Sequence, residues 1–383
     1  MSEQTLANSI TDNHSEELPH FPFSSNAIRL NGMGWIWVGI VIGFAYFLIP
    51  GLWCRIESVT VGTDYRIPYT LSEDYWTFNR FCKTIRSENK VFVVGDSVIW
   101  GEYVTPEQTL SHFLNKMEGS DRYANMGVNG IHPMALDGLL NYYGSPISHR
   151  DVILHCNPLW MSSPRHDLQI EKEFNFNHPK LVPQFSPWIP CYRATVSERL
   201  GIVIERSVSF FGWSNHLRVA YFSGQDIPSW SLDHPYAAPW KQINEKVLQP
   251  DQQLRHKPVS WTESGITRQD FPWVGLSNSL QWKAVQRALD TLKKRENRIF
   301  VLVGPFNEHM LSDKSRETYH SFLQGMETWL KDKQFDYFIP DVLPSELYAD
   351  ASHPLKEGYE MWADRIYHNE KFLEWQHRQI QQN

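Results

Sequence analysis

A basic excess is the first thing this chain lacks. Its 36 Lys and Arg stand against 43 Asp and Glu, a formal net charge of −7 over 383 residues, with no long Lys/Arg run. General nucleic-acid binding needs cations to neutralise phosphates, so no nucleic acid is expected as a partner. Cysteine is also scarce. Cys54, Cys82, Cys156 and Cys191 form no C-x-x-C pair and have no His at zinc-ligand spacing, which argues against a metal site and a thioredoxin-like motif. They read as small buried thiols, with one or two disulfides open to them outside the cytosol. Repeats and low-complexity tracts are missing, and 42% hydrophobic against 21% charged residues excludes wholesale disorder.

What is present is more specific. No charged residue occurs from Met33 to Trp53. A run of about 20 apolar residues spans a bilayer as a helix, so 33–53 is expected to be a transmembrane segment. Trp35, Trp37, Tyr46 and Trp53 lie toward its ends, where amphipathic rings favour the headgroup level. The polar, acidic leader at 1–32 reads as a disordered tail rather than a basic n-region. No small-x-small cleavage site follows the run, so an uncleaved single-pass anchor is expected.

Residues 54–88 read as a connector. Beyond them, short apolar runs alternate with helical periodicity, the pattern of an α/β sheet. The runs are Val91–Val94, Tyr123–Met126, Val152–Leu154, Ile299–Val303 and Tyr337–Ile339. Helices are expected over 105–114, 278–296, 313–331 and 356–378. The first opens on Thr105-Pro106 with Gln108 in capping-box position. Together these predict a three-layer, doubly wound, flavodoxin-like parallel sheet of about five strands with helices on both faces. Ligands in such folds sit beyond the carboxyl ends of the strands.

Four motifs fall at those ends. After the first strand comes Gly95-Asp96-Ser97, a sharp turn that exposes a serine at a helix start. It is not a Gly-x-Ser-x-Gly elbow, because Ile99 takes the last glycine position. The second strand ends at Gly127, where a backbone N–H can approach an oxyanion, and the third ends at Asn157, an amide donor. The last motif is Asp350-Ala351-Ser352-His353. A serine hydroxyl needs a base to take its proton, and the base needs an anion to fix its tautomer.

In this order the motifs resemble those of the SGNH/GDSL hydrolase superfamily, over residues 89–157 and 298–370. The resemblance implies Ser97 as nucleophile, His353 as general base and acid, and Asp350 as its orienting carboxylate. It implies an oxyanion hole made by the Ser97 and Gly127 N–H groups and the Asn157 side chain. No metal or organic cofactor is implied. Trp100, Asn129, His155 and Asn307 are candidate substrate contacts near the same crevice. Three positions depart from the family pattern: Val98 for Leu, His155 for Gly and Pro158 for Asp.

Residues 158–277 interrupt the fold between the third and fourth strands. Trp160, Trp188, Trp213, Trp230, Trp240, Trp261 and Trp273 lie in this insert. They are expected mainly to fill a satellite core or touch the bilayer interface, with stacking on sugar rings as the sharper alternative. The stretch Leu200–Trp213 reads as a membrane-facing or buried helix, and Glu205-Arg206 argues against a second span. The resemblance then implies an anchored acyl-ester hydrolase or acyltransferase acting on an acylated carbohydrate or other ester. A lipid or lysophospholipid esterase, or a non-catalytic assembly protein of polysaccharide export, are the alternatives. An uncleaved anchor suits a bacterial inner membrane with the catalytic domain outside, although Arg29 against Arg55 and Arg66 gives a weak bias the other way.

Overall fold

The structure is a computed structural model that describes residues 30–59, 61, 66–244 and 254–380. Most of the expected polar tail, 1–29, lies outside the described residues. The chain divides into two compact units, Met1–Ile49 and Pro50–Asn383.

Helix α1 (Gly32–Ile56) has 25 residues. At 1.5 Å per residue it measures roughly 37 Å, more than the ~30 Å of a bilayer's hydrocarbon. It is the one helix among the described residues long and apolar enough to cross a membrane.

In the larger unit the chain order is α2 (Tyr75–Ser87), β1 (Val91–Gly95), α3 (Ser97–Trp100), α4 (Leu110–Glu118), β2 (Tyr123–Gly127), α5 (Pro133–Tyr142) and β3 (Asp151–Cys156). The insert follows, with α6 (Val196–Ser207), α7 (Ser209–Tyr221), α8 (Ile227–Asp233) and α9 (Pro239–Gln242). The fold then resumes with α10 (Leu280–Lys294), β4 (Arg298–Val303), α11 (Asp313–Asp332), β5 (Asp336–Phe338), α12 (Lys356–Tyr367) and α13 (Glu370–Ile380).

All strand pairs are parallel, in the order β2-β1-β3-β4-β5. This is the expected flavodoxin-like α/β architecture. Strand side chains alternate between faces. Phe92 and Val94 join α2, α5 and α10 in one core, while Val91 and Val93 join α4, α12 and α13 in the other. Burial on both faces explains why the strands read as continuous apolar runs. The strand order reverses between β1 and β3, which opens a crevice beyond their carboxyl ends.

Several expectations need correction. The connector contains α2, capped by the Asp74 side chain on Thr77 N at 3.1 Å. Phe78, Phe81, Cys82 and Ile85 bury one face of it. The Thr105 capping box starts only a 3-10 turn, and the helix proper begins at Leu110 behind a second cap, Thr109. The span 356–378 is two helices, broken at His368-Asn369. The cysteines, by contrast, are as expected: all four are free thiols, and three of them are buried.

Candidate active site

Ser97 sits two residues past the end of β1, at the first position of α3. Asp96 caps that turn by accepting from Val98 N at 3.0 Å. The Ser97 Oγ lies 2.8 Å from His353 Nε2, and His353 Nδ1 lies 2.8 Å from both carboxylate oxygens of Asp350. A carboxylate only accepts, so Nδ1 carries the proton. Nε2 is then bare and accepts from the serine hydroxyl, the tautomer a general base needs.

The loop holding this pair is tightly determined. Asp350 Oδ1 accepts from Ser352 N at 2.9 Å and His353 N at 3.0 Å. Burial alone would raise the Asp350 pKa, but the His353 charge and hydrogen bond, with these N–H donors, bring it to about 2. Burial works against a charged His353. The Asp350 charge and hydrogen bond outweigh it, aided by Asp96 and Glu102, and hold its pKa above the usual value. Tyr103 closes the rim, its ring 5.6 Å from that of His353. Its hydroxyl is raised to about 12, first by burial and then by Asp350. From the insert, His256 Nε2 reaches Glu102 at 2.7 Å and brings its ring 5.3 Å from Tyr103.

Asp96 does more than cap. Its Oδ2 accepts from Asn157 Nδ2 and from Trp160 Nε1, each at 2.8 Å, and its Oδ1 faces His155 Nδ1 at 3.3 Å. Burial would raise this carboxyl too, yet His155, Trp160 and Asn157 bring it down to about 2. Asn157 Oδ1 accepts from Leu159 N at 3.0 Å, so the amide orientation is fixed. One amide N–H goes to Asp96, leaving the second for another acceptor.

The other expected contacts have different surroundings. Trp100 is fully buried, with its indole N–H on Ile67 O at 2.7 Å and the Arg66 guanidinium over its ring. His155 is buried and donates from Nε2 to Gly304 O at 2.8 Å. Asn307 is buried and holds the 350–351 backbone, through N to Ala351 O at 2.8 Å and Nδ2 to Asp350 O at 3.1 Å. These three brace the site and present no surface to a ligand. Asn129 is half-buried and borders a cavity of about 500 Å³ shared with Tyr69, Glu73 and His178.

Gly127 also differs from expectation. Its N–H donates to Asn125 Oδ1 at 3.0 Å, so it is not free for an oxyanion. A Cβ at this position would collide with the Trp100 backbone nitrogen, so the glycine serves the close approach of α3 to β2. In the following loop, the Gly130 N–H donates to no described group. The Asn129 carbonyl of the same peptide accepts from His178 Nε2 at 2.9 Å. In a trans peptide the N–H points opposite to the carbonyl, so Gly130 N–H faces away from His178.

Sequence reading missed Asp96 as a hub, and with it Trp160, Tyr103 and Asn125. Asn125 carried a signal: a buried amide within an apolar strand needs partners. It finds Ile99 O at 2.8 Å and Gly127 N. Among the described residues no group of three or more His, Cys, Asp or Glu could hold a metal ion. No protein-family model matches the chain, and no curated protein is significantly similar to it.

Proposed function

We propose that this protein is a membrane-anchored serine acyl-ester hydrolase or acyltransferase of the SGNH/GDSL type. The reading rests above all on the line Asp350–His353–Ser97, with 2.8 Å at each junction, beside the β1/β3 crevice. Ser97 Oγ attacks an ester carbonyl carbon while His353 Nε2 takes the hydroxyl proton. The tetrahedral oxyanion accepts from Ser97 N–H, from the second Asn157 amide N–H, and from Gly130 N–H in place of Gly127. His353 then protonates the leaving alkoxide, and the alcohol departs from an acyl-Ser97 ester. Water, or an acceptor hydroxyl, gives its proton to His353 and attacks that ester. Collapse returns the proton to Ser97 Oγ and releases a carboxylic acid or a new ester. Asp350 stays ionised throughout.

The substrate is an O-acylated, most simply O-acetylated, cell-surface glycan. Helix α1 anchors the enzyme in a bacterial inner membrane with the larger unit on the periplasmic or external side. The same anchor favours a second reading, an esterase of membrane lipids.

The deciding experiment treats the full-length protein with a fluorophosphonate and measures acetate release from O-acetylated glycans and short lipid esters. Labelling at Ser97 and turnover lost in Ser97→Ala are expected. Full turnover by Ser97→Ala, or no labelling of a folded wild type, would sink the proposal.

A further inference from the structure

Within the unit Pro50–Asn383, the chain is pinned one residue after α1 ends. Glu57 has a fully buried side chain, and its Oε1 accepts from His216 Nε2 at 2.7 Å and from the Tyr221 hydroxyl. Its other carboxylate oxygen pairs with Arg80, whose guanidinium also donates to Glu57 O at 2.7 Å. His216 Nδ1 bonds Asp74 Oδ2 at 2.7 Å. Residue 57 is therefore clamped to α2 and α7 by buried ion pairs. Trp53 packs 6.0 Å from the Trp213 ring of α7. Any bilayer that α1 crosses ends close to these residues.

The same clamp gathers the far end of the insert. Leu217, Tyr221, Phe222 and Trp230 form a small core against which Trp53, Trp213 and Ile243 pack. The segment 227–243 is thus fastened at Trp230 and again at Ile243, beside the point where the chain leaves α1. Between the two fasteners, Leu232 is 83% exposed, Tyr236 102% and Trp240 74%. Each would shed about 25 cal/mol for every Å² of apolar surface moved out of water. Three such exposed side chains within nine residues of one fastened segment make that segment a candidate interaction surface. Two are the amphipathic aromatics that favour the headgroup level of a bilayer.

We propose that residues 227–243 lie on the lipid surface, with Leu232, Tyr236 and Trp240 dipping to the headgroup–acyl boundary. This rests on α1 being embedded in a bilayer, as the functional reading holds. The occupant is lipid rather than a second protein because the patch is fixed at the chain's exit from α1. The clamp at Glu57 then keeps this patch and the exit of α1 together within the unit Pro50–Asn383.

The test uses the full-length protein in phosphatidylcholine/phosphatidylglycerol nanodiscs. Leu232→Cys, Tyr236→Cys and Trp240→Cys are each labelled with an environment-sensitive fluorophore, and the parent chain carried through the same labelling gives the background. Val41→Cys in α1 and Asp364→Cys on α12, across the sheet from α2, serve as references. With lipids bearing a nitroxide near the headgroup, the three patch sites should lose at least half their emission and Asp364→Cys almost none. Quenching by aqueous iodide should show the reverse order. Iodide access at all three patch sites equal to that of Asp364→Cys, with Val41→Cys dry, overturns the lipid surface and leaves the anchor standing. A wet Val41→Cys removes the anchor, and the proposal with it. Patch sites that are dry only in native membranes, and wet in nanodiscs, overturn lipid in favour of a protein partner.

Discussion

Asn157 donates one amide hydrogen to the carboxylate of Asp96, Nδ2 to Oδ2 at 2.8 Å, while its carbonyl oxygen is held by Leu159 N. The residue before Ser97 thereby aims the amide that follows β3. Asp96→Asn would set an N–H₂ against the N–H groups of Asn157 and Trp160, or else lose the cap on Val98. We expect Asp96→Asn to lower kcat about as much as Asn157→Ala, roughly 10²–10³-fold, as loss of one oxyanion donor does elsewhere. KM should change little for a small ester such as p-nitrophenyl acetate. A fall in KM's favour alone, with kcat intact, would show that this pair shapes binding and leaves the oxyanion untouched.

The pH profile follows from His353. Only its neutral form accepts the Ser97 proton, and its pKa lies above 6.5 because Asp350 outweighs the effect of burial. Activity should therefore fall as pH drops through a midpoint above 6.5. Asp350→Asn removes the stabilising charge, so that midpoint moves down, while kcat falls by roughly 10⁴ through loss of the correct tautomer. Measuring kcat/KM from about pH 5 to 9 checks both directions. A wild-type limb centred below 6.5 would contradict the charge balance described here.

Asn307 bonds neither Ser97 nor the His353 ring, yet it carries the backbone of Asp350 and Ala351. Asn307→Ala should cost about 1 kcal/mol of stability for a lost hydrogen bond in a buried place. It should also lower kcat by roughly tenfold, as expected when a triad loop drifts by a fraction of an ångström. Asn307→Asp should be worse, since a carboxylate oxygen would face the Asp350 carbonyl. Chemical denaturation beside steady-state kinetics separates the two effects. Loss of stability with kcat unchanged would make Asn307 purely structural.

Much of the fold is legible in the amino-acid sequence, and the reasons are physical. β1, β3 and β4 are buried on both faces, so each reads as an unbroken apolar run. Ser97, Asn157 and His353 each follow such a run or close the chain's last loop, where the fold puts its crevice. Gly127 misled because a glycine after a strand has two uses, and the choice depends on Trp100, 27 residues back in sequence, standing against it. Trp100 and His155 looked like contacts because they flank the motifs, but β-strand alternation and a short helix turn them inward. The roles of Asp96, Tyr103 and His256 arise from pairs far apart in the chain. No local spacing encodes a bond between Glu102 and a residue of the insert.

The clamp around His216 should make stability depend on pH in a definite direction. Both ring nitrogens bond carboxylates, Asp74 and Glu57, so both carry protons and the ring is a cation. Burial opposes that charge, but the two carboxylates raise the His216 pKa from 6.5 to about 9. Its contribution, about 3 kcal/mol at 1.36 kcal/mol per pKa unit, is fully present below 6.5 and is lost as pH rises through 9. Burial likewise opposes the charges on Glu57 and Asp74, and His216, Tyr221, Arg80 and Thr77 overcome it, so both pKa values lie below their usual 4.5 and 3.8. Their share is present above those values and lost on acidification. The clamp is therefore strongest between 4.5 and 6.5 and weakens progressively to 9. Urea unfolding of the full-length protein should show a smaller unfolding free energy at pH 9 than at 6.5. His216→Gln leaves Glu57 with Arg80 but takes from Asp74 its His216 partner, which should cost roughly 3–5 kcal/mol at the lower pH and flatten the profile between the two. A variant that kept the wild-type slope would place the titrating group elsewhere.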